Sequence, residues 1–152
     1  MTIDLDHIRE LRRRYDACFG CGLDNALGLQ LDGFELADDG AVTAPFEPRA
    51  EYAGFEETLH GGIVATALDE ISAWSAMLSH RVLVFTATLD LRYRAQARST
   101  SVFTMRGLVE EKRGRRLKIL GQMIDGDAVV AESRGLFVVA EDFTAALDSP
   151  NE

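Results

Sequence analysis

Between Ile63 and about Leu78 the chain reads IVATALDEISAWSAML, a run without glycine or proline in which apolar side chains return at helical spacing. At about 100° per residue, Ile63, Val64, Ala67, Ile71, Trp74 and Leu78 fall within one arc of roughly 100°, which predicts a helix burying one face against a sheet. Asp69 lies nearly opposite that arc, with Ala65, Ala73 and Ala76 as its lateral neighbours. Two readings are open for it: a solvated acid on an outer face, or a carboxylate on a surface of small side chains where a backbone or ligand comes close. The polar face is poor in Lys, Arg and Glu and rich in Ala and Ser, as a surface awaiting cover would be. Glu70 is rotated away toward Trp74 and Met77, so Asp69 is the acid better placed for work in a cleft.

The flanking segments set the fold class. Residues 4–17 carry Leu5, Ile8, Leu11 and Tyr15 at helical spacing and predict a short N-terminal helix, followed by the turn-rich CFGCGLDNALGL. Leu29 to Leu36 and Ala41 to Phe46 read as strands joined through Asp38-Asp39-Gly40. Residues 47–60 read as a long loop ending at His60-Gly61-Gly62. Beyond the central helix come extended runs over Val82 to Ala95, Ser101 to Glu111, Arg116 to Ile124 and Ala128 to Ala140, the last two joined across Asp125-Gly126-Asp127. The tail after Glu141 shows no periodicity. This order predicts one α+β domain over residues 1–152, with a core from about 17 to 140.

Charge and composition exclude several roles. The 152 residues carry 16 Lys and Arg against 25 Asp and Glu, a formal net charge of −9, so the basic face of a general nucleic-acid binder is missing. The longest nearly uncharged stretch, Gly61 to Ser79, is broken by Asp69 and Glu70 and does not read as a membrane span. The N-terminal MTIDLDHIRELRRRYDA places acids and three arginines where a signal peptide needs an apolar core. Cys18 and Cys21 are too few for a disulfide scaffold and, without an export signal, read as reduced thiols in a cytoplasmic protein.

Gly61 and Gly62 stand where the chain enters the central helix, whose first turn leaves backbone N–H groups unpartnered and carries the positive end of the helix dipole. A tight turn explains such a pair. So does catalysis: lacking Cβ atoms, the glycines let a carbonyl approach the amides, and each donor aimed at a developing oxyanion is worth about 3 kcal/mol. Asp69 lies roughly 10 Å further along the axis, too long a reach for one small group in one chain. A carboxylate from a second copy is expected to complete the site.

The string TLHGGIVATALDEISAW, Thr58 to Trp74, closely resembles the HGG motif and central helix of hotdog-fold acyl-CoA thioesterases, especially the phenylacetate-pathway type, and CFGCGLDNALGL resembles a lead-in found in that superfamily. The resemblance covers about residues 17 to 140. It implies a hotdog fold, a curved antiparallel sheet wrapped around the central helix, with protomers joined as a homodimer or a tetramer and active sites at their interface. It further implies that the Gly61 and Gly62 amides polarise the thioester carbonyl of an acyl-CoA while Asp69 of the other chain attacks it or activates water. His60 would orient the loop or assist at the carbonyl. Through the alignment on LDLRY, Thr86 falls where related enzymes carry a hydroxyl near the attacking water. Family members often carry Asn or Gln six residues before the histidine; that position is Gly54, so either Glu56 or Glu57 substitutes or the assistance is missing. A non-catalytic acyl-CoA binding protein and a hotdog hydratase or dehydratase are the alternatives.

Coenzyme A is anionic and needs local positive charge. Lys112, Arg113, Arg115, Arg116 and Lys118 cluster around Gly114 in a predicted hairpin turn, suited to phosphate recognition and equally to a solvated tip. Arg92 and Arg94, sharing one strand face, and Arg98 form a second candidate patch. No cofactor is expected, since coenzyme A is part of the substrate. No metal is expected either, because His7, His60 and His80 are the only further ligands considered for the cysteine pair. Packing is the role expected for Cys18 and Cys21, with Asn25 bonding the turn that follows.

Overall fold

The computed structural model describes residues 10–144. The predicted N-terminal helix extends outside them; within them residues 10–13 are helical and residues 14–17 form turns. Six strands follow: β1 (Glu35–Leu36), β2 (Val42–Phe46), β3 (Val82–Tyr93), β4 (Phe103–Arg113), β5 (Arg116–Asp125) and β6 (Ala128–Asp142). They form one curved sheet in the order β1-β2-β4-β5-β6-β3, antiparallel throughout. Among the described residues a single long helix, α1 (Gly61–His80), lies against one face of it. This is the hotdog architecture. The three hairpin turns each place a glycine at positive φ, Gly40 at 84°, Gly114 at 57° and Gly126 at 59°, where other residues are strained.

The first strand is shorter than its alternation predicts. Leu29 and Leu31 are buried, yet only Glu35 and Leu36 join the ladder. Gln30 and Gly33 take φ of 52° and 75°, which breaks the extended path, and the Leu29 and Leu31 amides bond the Phe19 and Gly20 carbonyls at 2.8 and 3.0 Å. The segment is paired with the lead-in loop instead of with a strand. Arg12 fastens this arrangement by donating to the Cys21 and Leu31 carbonyls at 3.0 and 2.8 Å, and its guanidinium lies over the stacked rings of Phe34 and Trp74.

Val64, Ala67, Ile71, Trp74 and Leu78 are buried as the helical wheel predicts, and Ile63 partly so. Burial extends further round, over Leu68, Ser72, Ser75 and Ala76, because the sheet curves about the helix. Gly107 and Gly121 are paired in register beneath it. A Cβ on Gly107 would stand 2.6 Å from the Ile71 carbonyl oxygen, and one on Gly121 3.0 Å from Ser72 Oγ, so the close approach requires glycine at both. Ser72 and Ser75 donate to the Leu68 and Ser72 carbonyls, both at 2.7 Å, which satisfies their buried hydroxyls. Ala76 therefore belongs to the core and not to the open stripe beside Asp69, whereas Ala65 and Ala73 remain half-buried.

β3 is an edge strand that pairs only with β6 among the described residues. It carries exposed Phe85 and Tyr93, at 72% and 57% exposure, an apolar edge that is open in the single chain. No helix among the described residues is long and apolar enough to cross a membrane.

Candidate active site

Asp69 sits halfway along α1 on the side facing β3. The Thr86 hydroxyl donates to its Oδ1 at 2.7 Å. The β3 to β6 register shifts between Thr86 and Thr88, and this bulge re-aims the strand at the point where Thr86 meets the helix. The pair borders a cavity of about 210 Å³ whose walls include Ala73, Trp74, Met77 and Phe85. An ionised carboxylate with one oxygen fixed by a hydroxyl can take a proton from water or attack a carbonyl.

The helix start is built separately. His60 is the N-cap residue, and its Nδ1 accepts the Gly62 N–H at 2.9 Å. That contact occupies one of the two amides expected to face a substrate; among the described residues no protein group accepts the Gly61 N–H. The Tyr93 hydroxyl donates to the Gly61 carbonyl at 2.8 Å and holds the first turn against the end of β3. His60, Gly61 and Gly62 are all exposed. Gly54 lies against the histidine: a Cβ there would stand 3.0 Å from His60 Cα, so an Asn or Gln at this position requires the His60 backbone to give by a few tenths of an ångström. Neither suggested substitute is drawn to the helix start. Glu57 stands 3.9 Å from Arg98, and Glu56 is exposed at a φ of 49°.

The structure thus joins Asp69 to Thr86 and His60 to Gly62, but the two groups stay about two helical turns, roughly 10 Å, apart within one chain. The cationic clusters stand apart as well. Arg113 and Lys118 both pair with Glu111, Lys112 donates to the Gly114 carbonyl at 3.1 Å and Arg115 to the Val139 carbonyl at 2.8 Å. A groove lined by Arg113, Arg115, Arg116 and Lys118 runs along this hairpin. Leu117 beside it packs with Ala76 and Val82, so the hairpin lies toward the C-terminal end of α1, opposite Gly61. Arg92 and Arg94 line a mixed groove with Asp90, Glu132 and Arg134, and Arg94 is paired with Glu132.

Glu70 is the functional-type residue that sequence reasoning set aside. It lines the same cavity as Asp69 but turns toward the lead-in loop, where Trp74 Nε1 donates to its Oε1 at 3.1 Å and Cys18 Sγ lies 3.8 Å from its Oε2. Burial pushes its carboxyl up to about 7, assisted by charge on Cys18 and Asp69 and opposed by hydrogen bonds from Cys21 and Trp74. The Cys18 thiol is lowered, first by the Cys21 thiol and then by nearby backbone amides, while the same pairing and burial push Cys21 up. Cys21 packs in the core as expected, and Asn25 bonds Ala17 and Leu27 to shape the turn. The signal for Glu70 was its place next to Trp74 on the helical wheel. Tyr93 gave no signal beyond its place in LDLRY.

The thioesterase superfamily model matches residues 56–132, which span the helix start, all of α1, Thr86 and most of the sheet. The chain belongs to the thioesterase superfamily. Among solved structures, a thioesterase superfamily protein aligns with a TM-score of 0.75 at 25% identity, covering 81% of this chain. This chain spans 60% of that protein's length. A phenylacetic acid degradation-related protein from Ralstonia eutropha JMP134 aligns at 0.68 with 15% identity, covering 84% of this chain and 98% of that one. A hypothetical thioesterase from Streptococcus pneumoniae TIGR4, solved with coenzyme A, aligns at 0.66 with 17% identity, covering 72% of this chain and 89% of its own. No curated protein matches the chain significantly.

Proposed function

We propose that this superfamily member is an acyl-CoA thioesterase working as a homodimer or a dimer of dimers, its site assembled from two chains. The observation that carries the reading is the Asp69 carboxylate held by Thr86 at 2.7 Å beside a cavity, on the flank of the open edge strand β3. A second copy laid along that edge covers Phe85 and brings its own helix start toward Asp69.

In this arrangement the thioester carbonyl oxygen docks at the Gly61 N–H. The Gly62 N–H joins it once the His60 ring turns aside, which makes His60 a gate on the second donor. Asp69 of the other chain then takes a proton from water as the water oxygen bonds to the carbonyl carbon, or itself attacks that carbon. The oxyanion rests on the amides and the C–S bond breaks. On the general-base route the coenzyme A thiolate takes the proton held by Asp69 and the acid is released. On the nucleophilic route a water then hydrolyses the acyl–Asp69 anhydride, freeing the acid, regenerating the carboxylate and supplying the thiolate's proton. Thr86 keeps the carboxylate aimed. The groove along Arg113, Arg115, Arg116 and Lys118, or the one at Arg92 and Arg94, supplies charge for the coenzyme A phosphates.

A non-catalytic acyl-CoA binding protein is the second reading, favoured by the engagement of the Gly62 amide and by Gly54. Free-thiol release across aryl, short-chain and long-chain acyl-CoA esters separates the two. Turnover of at least one ester supports the thioesterase; saturable binding of esters without thiol release establishes the binding protein instead.

A further inference from the structure

Cys18, Cys21 and Glu70 converge although 52 positions separate the first from the last. One ligand atom from each, two Sγ atoms and a carboxylate oxygen, all lie within 4.8 Å of one another. Cys18 Sγ is 3.9 Å from Oε1 and 3.8 Å from Oε2 of Glu70. A tetrahedral ion bonded at about 2.3 Å to sulfur and about 2.1 Å to oxygen has an S···O edge of about 3.6 Å, so the Cys18–Glu70 edge needs to contract by only a few tenths of an ångström and any edge as long as 4.8 Å by about 1 Å.

The surroundings are shaped to bring these atoms together. A Cβ at position 20 would fall 2.1 Å from Glu70 Oε2, so only glycine in the middle of the C-x-x-C turn admits the carboxylate. Trp74 Nε1 bonds Oε1 and fixes the carboxylate's orientation from outside, the contact that ligating carboxylates commonly receive. Cys21 is 1% exposed, while Cys18 and Glu70 border the cavity, which leaves one tetrahedral position facing space large enough for water. The shortage of ligands for the cysteine pair, which set metal aside on sequence grounds, is met in part by a glutamate from the helix.

We propose that Cys18, Cys21 and Glu70 bind one zinc-type divalent cation, with water in the fourth position, and so pin the lead-in loop to α1 beside Asp69. Two thiols release their protons to solvent on binding, and two thiolates with one carboxylate meet the dication. Sulfur ligands in a four-coordinate cage select Zn²⁺ or Co²⁺ over Mg²⁺ or Ca²⁺, which require oxygen and higher coordination. The assignment does not depend on the thioesterase reading.

Tag-free full-length protein, stripped with a chelator and kept in a phosphine reductant, is titrated with Co²⁺. The expected result is one equivalent bound per chain, with thiolate-to-cobalt charge-transfer absorption and the intense visible bands of a tetrahedral ion, both abolished when Zn²⁺ displaces it. Cys21→Ser loses the charge-transfer signal, and Glu70→Gln binds at least about tenfold more weakly. If the cysteine variant fails to fold, the unmodified chain suffices: saturating Zn²⁺ raises its Tm and added chelator reverses the rise. Absence of the charge-transfer band in unmodified protein, a Co²⁺ titration unchanged by Glu70→Gln, or no Zn²⁺ effect on Tm overturns the assignment.

Discussion

Asp69 and Glu70 are adjacent acids on one helix that border one cavity, and the fold gives them different partners there. Asp69 faces the edge strand, half-buried, with a Thr86 hydroxyl on one oxygen and a cavity alongside. Glu70, turned by about 100°, is enclosed by Trp74, Gly20 and two cysteines, and burial lifts its carboxyl to about 7. The same functional group carries proton transfer in the proposed reaction at one position and ligation in the proposed metal site at the other. What differs is the neighbouring element along the shared cavity: the edge strand β3 for one, the cysteine loop for the other.

Exchanging the two acids for their amides tests this contrast, and the largest effect belongs to Asp69. Asp69→Asn removes the proposed base or nucleophile and is expected to lower kcat on an accepted acyl-CoA by about 10²–10⁴ while leaving the melting curve in place. A thiol-release assay with a calorimetric control measures both. Next comes Thr86→Val, which keeps the strand-favouring shape and deletes the hydroxyl. It should cost about tenfold in kcat with little change in KM, since a hydrogen bond to a charged group is worth about 1.5–3 kcal/mol and water replaces part of it. Glu70→Gln should lower kcat by less than about threefold, because its carboxylate faces the cysteine loop; a loss comparable to that of Asp69→Asn would merge the two roles.

The smallest effect lies at the far end of α1. Burial, and secondarily Lys112, lowers the His80 pKa below 6.5, and its Nδ1 contacts Ser79 Oγ at 2.7 Å. The unfolded chain therefore binds a proton there more readily than the folded one, so this contribution to stability is present above pH 6.5 and is lost as the pH falls. In a pH series of denaturant melts, His80→Gln should flatten that part of the slope and leave turnover alone.

Much of this contrast was legible in the sequence. The helical wheel separated Asp69 from the core arc and placed Glu70 beside Trp74, and both relations stand because side-chain direction on a helix follows from spacing alone. The hairpins at Gly40, Gly114 and Gly126 were legible for a similar reason, since their turns are local. Ala76 went astray because the wheel assumes a flat partner, whereas the sheet bends round to cover it. The strand over Leu29 to Leu36 failed because its amides found the Phe19 and Gly20 carbonyls, a competition that alternation does not register. Glu70 meeting Cys18, Tyr93 meeting Gly61 and His60 capping Gly62 depend on chain path or ring orientation, which no spacing encodes.

The central claim is that acid and amide donors reach one cavity from two different chains, and subunit mixing tests it most directly. Asp69→Asn and Gly61→Val are each expected to be nearly inactive alone, the second because a branched side chain occupies the approach to the amide. Unfolded together and refolded, they should recover about a quarter of unmodified activity, since half of the random dimers carry one site built wholly from intact residues. No recovery, with mixed dimers demonstrated by mass, would place the whole site within a single chain and contradict the account.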